Sequence, residues 1–267
     1  MLCKICGNKT KPIFSAVILK KFTANYFRCP VCEAVHTDEP NWIAEAYADP
    51  ITKQDTGLIS RNIACARLTL HIIKKYFDGK KRFLDYAGGY GMFTRLMRDS
   101  GLEFYIYDQY CENLFAQGLN IDSFQKETAH YELITAFEVF EHLVDPMPEI
   151  EEIFRHTDSL LFSTTLIPDD RQVDSKWNYL GLDHGQHVFF YSKKTLEFIA
   201  KKFNKNLYSD GKNFHLITSK KIPIDPLRTY MLLPTVIYRR VWNKLGTIFK
   251  FKPIPRMNRY ELRPFKV

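Results

Sequence analysis

Apolar residues recur at helical spacing over 59–73, with no glycine or proline among them, and predict an amphipathic helix. From Arg82 onward the pattern changes to short apolar runs alternating with amphipathic segments, the signature of βαβ units and a largely parallel sheet. Strands are predicted at 82–87, 103–108, 131–137 and 160–165, and helices at 92–99, 111–117, 148–156 and 193–203. Two last apolar runs, 206–209 and 214–219, have no helix between them and predict an antiparallel hairpin at the sheet edge. The pattern implies an α/β Rossmann-like fold, preceded by a small unit ending near Asp38-Glu39-Pro40, where proline disfavours a helical residue before it. Three regions follow: 1–40, 41–222 and 223–267.

The first region is built around cysteines. Cys3-x-x-Cys6 and Cys29-Pro30-Val31-Cys32 are separated by 22 residues, close to the spacing of zinc ribbons. Four thiolates complete a tetrahedral zinc shell and leave no open position, so a structural zinc at Cys3, Cys6, Cys29 and Cys32 is expected. Cys65 and Cys111 stand alone and read as packing residues. Paired CxxC motifs and an N-terminus without an apolar signal region suggest a reducing, cytoplasmic setting.

In the second region, Phe83-Leu84-Asp85-Tyr86-Ala87-Gly88-Gly89-Tyr90-Gly91 sets an acid and three glycines between a strand and a helix. Glycine lets backbone approach a ligand closely, and strand ends are where α/β sheets bind small molecules. Threonine at the third glycine position (Thr94) argues against a dinucleotide fingerprint. The segment resembles the first motif of class I S-adenosylmethionine-dependent methyltransferases, Asp-x-Gly-x-Gly-x-Gly, with Ala87 at the first glycine. The resemblance covers about half the chain, from Arg82 to Ser219, and implies that S-adenosylmethionine is bound by Asp85, Ala87, Gly88, Gly89 and Gly91. The next strand ends at Asp108, whose carboxylate can accept both ribose hydroxyls; the plainer role for Asp108 is to cap a helix starting near Cys111.

A second match to the same family is Phe137-Glu138-Val139-Phe140-Glu141-His142, after the strand at 131–137. The resemblance adds Phe137 and Glu138 to the cofactor site. Spacings of three and four place Glu138, Glu141 and His142 on one face of a helical turn, where they can hold a divalent cation that orients an acceptor hydroxyl. Similar Glu-x-x-Glu-His segments occur in ubiquinone-pathway O-methyltransferases and small-RNA 2′-O-methyltransferases, and some of these hold a metal. The alternative is a capping carboxylate and a histidine bonded within the fold. A long insertion, 168–191, then carries Asp183-His184-Gly185-Gln186-His187, similar to a His-x-x-His that covers the acceptor cleft in sugar-modifying relatives. His184 and His187 are therefore candidate general bases, with Glu141 and His142 as further catalytic candidates.

The formal charge of +8 is unevenly placed: the segment 223–267 has ten Lys or Arg against two acids, and the rest is balanced. With its apolar and aromatic residues this tail can lie on an anionic inner-membrane surface or contact a protein. No stretch reaches the roughly 20 apolar residues of a membrane span. The combined reading is a methyltransferase acting on a small-molecule or saccharide acceptor, by O-methylation in glycan or secondary-metabolite biosynthesis. Carbon methylation of a nucleotide-linked sugar, RNA methylation and a non-catalytic binding module are the alternatives. RNA is disfavoured because Phe137-Glu138-Val139-Phe140 stands where base N-methylating enzymes carry Asn/Asp-Pro-Pro-Tyr/Phe.

Overall fold

A computed structural model describes residues 1–48, 57–168 and 173–233. Most of the basic tail, and residues 169–172 of the insertion, lie outside the described residues. In chain order the elements are β1 (Lys11–Ile18), β2 (Phe22–Arg28), β3 (Val35–Thr37), α1 (Ile43–Ala46), α2 (Leu58–Tyr76), β4 (Arg82–Tyr86), α3 (Met92–Asp99) and β5 (Glu103–Tyr107). They continue as β6 (Leu133–Ala136), α4 (Pro146–His156), β7 (Ser159–Ser163), β8 (Phe189–Phe190), α5 (Lys193–Lys202), β9 (Asn206–Ser209), β10 (Phe214–Thr218) and α6 (Pro226–Met231).

The main sheet has the order β5-β4-β6-β7-β10-β9. Its first four strands are parallel, and β10 runs antiparallel to both β7 and β9, as the hairpin pattern predicts. Alternating side chains divide the core between the two faces. Phe83 of β4 packs with Leu68 and Ile72 of α2 and Phe93 and Met97 of α3. Leu84 faces the other way, with Ile150 and Ile153 of α4 and Leu196 and Ile199 of α5. This Rossmann-like layering turns at β4: β5 lies on one side of it and β6 on the other, so a crevice opens at its carboxyl end.

The helix expected at 111–117 does not form, because Asn113 offers the backbone other partners. Its Oδ1 accepts the Ala116 N–H at 2.8 Å, and its amide donates to Ala116 O and Asn120 Oδ1, each at 2.6 Å. The Leu114 and Phe115 N–H groups meanwhile donate to Tyr90 O at 3.1 and 2.9 Å. Local side-chain bonds of this kind compete with the helical ladder and fasten the segment to the glycine turn.

The cysteine region forms a second sheet, β1-β2-β3-β8, whose last strand comes from the insertion far along the chain. Cys3, Cys29 and Cys32 share a continuous apolar cluster with α4 and α5. Ser192 caps α5 by accepting the Thr195 N–H at 3.1 Å, and the Thr195 and Ser192 hydroxyls both donate to Cys32 O, at 2.8 and 3.3 Å. Among the described residues no helix is long and apolar enough to cross a membrane.

Candidate active site

The glycine turn occupies the crevice at the end of β4. Asp85 is buried, receives the Thr135 hydroxyl on Oδ1 at 2.8 Å and the Thr94 hydroxyl on Oδ2 at 3.2 Å. Burial pushes its carboxyl up to about 7 against the pull of those two hydroxyls. The same Oδ2 would lie 2.5 Å from a Cβ at Gly88, so only glycine fits there. Ala87 sits in the left-handed region with φ +53, a conformation that costs a residue with a Cβ about 1 kcal/mol or more.

Gly91 has φ +82, and a Cβ there would stand 2.3 Å from Asn113 Oδ1. Gly91→Ala should therefore break the Asn113 contacts as well as strain the backbone. A loss of about 2 kcal/mol is expected, measured as a fall in thermal midpoint; an unchanged midpoint would refute this account of the turn.

Asp108 lies across from the turn and is already engaged. Its Oδ2 accepts the Gly89 N–H, and its Oδ1 accepts those of Tyr110 and Cys111, all at 2.8 Å. The carboxylate thus clamps the glycine turn to the β5 end and retains acceptor capacity on Oδ2. Phe137, beyond β6, packs its ring edge-on against Phe93 with centroids 5.0 Å apart.

The three residues Glu138, Glu141 and His142 do not share one face. Glu138 adopts φ +56 before the turn begins, its N–H donates to Ser163 Oγ at 2.8 Å, and its Oε1 accepts that hydroxyl at 2.7 Å. Its other oxygen lies 3.7 Å from Arg61 Nε. The single 3-10 turn Phe140–His142 then carries Glu141 inward and fully buries it. Glu138 leaves the grouping, and His187 from the insertion joins it: one ligand atom from each of Glu141, His142 and His187 lies within 4.8 Å of the others.

The donors and acceptors around this cluster fix its chemistry. Among the described residues neither Glu141 oxygen has a hydrogen-bond partner of full geometry; burial, reinforced by the Glu138 charge, pushes its carboxyl up to about 8 against the pull of the neighbouring Tyr179 and Thr164 hydroxyls. His187 Nδ1 lies 2.6 Å from Tyr179 O, and His142 Nδ1 lies 3.1 Å from Gln186 O. Carbonyls only accept, so both Nδ1 atoms carry protons and both Nε2 atoms keep a lone pair, the tautomer of a metal-ligating histidine. Burial holds His142 down to about 3, with the neighbouring His187 adding to it, and His187 down to about 4. His184 differs: its Nδ1 accepts the Gln186 N–H at 3.2 Å, which leaves its Nε2 as a donor.

Tyr47, which follows α1, gave no signal in the sequence. Its hydroxyl lies 2.9 Å from His142 Nδ1, and its ring stacks on the exposed Tyr110, two residues after Asp108. It thus touches both the segment after Asp108 and the histidine cluster. In the N-terminal region, the four cysteine sulfurs lie within 4.8 Å of one another, with Cys3–Cys32 at 3.5 Å and Cys6–Cys29 at 3.4 Å. None of the four is in a disulfide. Zinc–sulfur bonds of ~2.3 Å in a tetrahedron require sulfurs ~3.8 Å apart, so this donor set fits zinc.

A family model described as a methyltransferase domain matches residues 60–209, more than half of the chain. A search of curated proteins returns no match. Among solved structures, the chain is similar to a methyltransferase of calicheamicin biosynthesis in its S-adenosylhomocysteine-bound form: 15% identity, TM-score 0.42, covering 66% of this chain and 61% of that one. It is also similar to an O-methyltransferase family 2 protein from Planctomyces limnophilus DSM 3776 in complex with apigenin, at 13% identity and TM-score 0.42, covering 67% and 65%. A third is magnesium protoporphyrin IX methyltransferase from Synechocystis PCC 6803 with bound S-adenosylmethionine, at 11% identity and TM-score 0.41, covering 67% and 93%. The chain spans less than two thirds of the length of the first two.

The fold is that of a Rossmann-like α/β domain. The chain belongs to the methyltransferase domain family matched over residues 60–209.

Proposed function

We propose that the protein transfers the methyl group of S-adenosylmethionine to a hydroxyl oxygen of a small-molecule or saccharide acceptor. The observation that carries this reading is Glu141, buried with neither oxygen in a hydrogen bond of full geometry and set against His142 and His187 beside the cofactor crevice. A buried carboxylate so weakly satisfied is costly unless a cation or a proton meets it. Asp85, Gly88, Gly89, Gly91 and Asp108 would hold the cofactor, whose sulfonium supplies an activated methyl group. The remaining demand is to hold the acceptor oxygen in line with that methyl and to relieve it of its proton.

His142 and His187, neutral over the physiological range, are weak bases but good ligands, which favours a divalent cation held by Glu141, His142 and His187. The chemistry such an ion supplies is a lowered pKa for a bound hydroxyl. The Nδ1–H bonds to Gln186 O and Tyr179 O orient the two imidazoles, while Tyr47 keeps a phenol proton for the acceptor. At the other end of the chain, Cys3, Cys6, Cys29 and Cys32 would hold a structural zinc.

Incubation with methyl-labelled S-adenosylmethionine and a panel of phenols, sugars and nucleotide sugars tests the proposal, with mass spectrometry locating the added methyl. Alkali-stable ether methylation that Glu141→Gln reduces at least a hundredfold is expected. Transfer only to carbon, or only to RNA, would refute it.

A further inference from the structure

We infer that the four-cysteine ribbon is the positioning scaffold for the acceptor side of the active site, so that zinc loading orders His187 and its neighbours without governing the cofactor half. This rests on the reading of the cysteines as a zinc site and of the His187 cluster as the acceptor side.

The cofactor half is built within the main sheet. Asp85, the glycine turn and Asp108 are held by β4, β5 and the N-terminus of α3, and the bonds that fix them come from Thr94, Thr135, Asp108 and Asn113. None of these partners belongs to the ribbon.

The acceptor half is anchored differently. Segment 185–191 pairs with β3 through Val35–Phe190 and His36–Phe189, which makes it the fourth strand of the ribbon sheet. At Val188 the two halves meet. Its carbonyl accepts the Thr37 N–H from β3 at 3.1 Å, and its N–H donates to Glu141 O at 2.9 Å. His187 immediately precedes that junction. Trp42 Nε1 donates to Gly185 O at 2.9 Å, and Gln186 Nε2 donates to Ala46 O at 2.9 Å. The His36 ring stacks on Phe189 at 5.5 Å. At the far end of the segment, Ser192 and Thr195 bond the carbonyl of Cys32, itself one of the four sulfur residues.

A chain of direct contacts therefore runs from the Cys29–Cys32 knuckle through β3 to Val188, and from Val188 to Glu141. The face of the ribbon sheet away from the cysteines has its own apolar cluster, Ile18, Tyr26, Val35, Trp42 and Phe190, but the turns that carry Cys3, Cys6, Cys29 and Cys32 are short and lead directly into β3, so the metal they would hold fixes where that strand starts. Losing the metal loosens β3 as a template, and among the described residues β8, two residues long, has no other strand beside it. The insertion then loses the pairing that sets His187 against Glu141 and His142.

The test compares the full chain, purified with its zinc content measured, before and after zinc removal by a thiol-reactive chelation protocol under reducing conditions. Hydrogen–deuterium exchange is followed in 185–191 and in β4, β6 and β7, and S-adenosylhomocysteine binding is measured by calorimetry. Depletion should speed exchange in 185–191 at least tenfold, while the central strands stay protected and the S-adenosylhomocysteine Kd changes less than threefold. Mn2+ binding, followed by electron paramagnetic resonance, should weaken at least tenfold. If the zinc-loaded protein binds no Mn2+, the cation reading fails, yet the exchange result still decides the scaffold proposal. Unchanged protection of 185–191, protection of that segment in a protein that never held zinc, or loss of protection throughout the main sheet would each overturn it.

Discussion

Asp108→Ala is expected to weaken S-adenosylhomocysteine binding by about a hundredfold, because a hydrogen bond to a charged acceptor contributes roughly 1.5–3 kcal/mol and each 1.4 kcal/mol is tenfold in Kd. The carboxylate also takes the N–H groups of Gly89, Tyr110 and Cys111, so the variant loses a clamp on the turn together with the ribose contact proposed for it. The two contributions separate when the ligand is changed. The 2′,3′-dideoxy analogue of S-adenosylhomocysteine should bind the wild type weakly and lose little more in Asp108→Ala. Equal losses for both ligands, read by calorimetry, would reduce Asp108 to a fastener of the turn and reassign the ribose to another group.

The sheet was legible because its information is local. The run Phe83-Leu84-Asp85 specifies a strand buried on both faces, and Gly88, Gly89 and Gly91 mark a turn that side chains would block. The expected helix at 111–117 failed because one side chain, Asn113, outcompeted the helical ladder, and nothing in the hydrophobic pattern reports such a contest. The acceptor side was legible only in part. Glu141, His142 and His187 could each be named as candidates, but periodicity placed Glu138 beside the first two. The left-handed backbone at Glu138 and the Ser163 hydroxyl turn it away, and long-range pairing of β8 with β3 brings His187 in its place. Tyr47 lies 95 residues from His142 in the chain and was invisible for the same reason. The ribbon spacing pointed to zinc, yet not to a sheet shared with the insertion.

Glu141 should make both stability and cation affinity depend on pH, in opposite senses. Its folded carboxyl is raised from an ordinary 4.5 to about 8, chiefly by burial. Without a cation, the folded chain keeps this proton while the unfolded chain releases it near the ordinary value. The resulting stability is full below 4.5 and is lost progressively as the pH rises through about 8. Glu141→Gln has no such proton to lose. Wild type and variant should melt alike near the ordinary carboxyl value, and the variant should be the more stable by on the order of 5 kcal/mol above pH ~8, since one pKa unit is worth ~1.4 kcal/mol. Denaturant unfolding across this range measures the difference, and a variant less stable than wild type at high pH would contradict the assignment of a buried, weakly satisfied carboxylate. Cation binding must displace the same proton, so Mn2+ affinity should rise about tenfold per pH unit below ~8 and level off above it. His142 and His187, held down to about 3 and about 4, are already neutral in that window and add nothing to the slope. The Gln variant should bind Mn2+ weakly and without the slope. A wild-type affinity that stays flat with pH would remove Glu141 from the ligand set and leave the two histidines without a carboxylate partner.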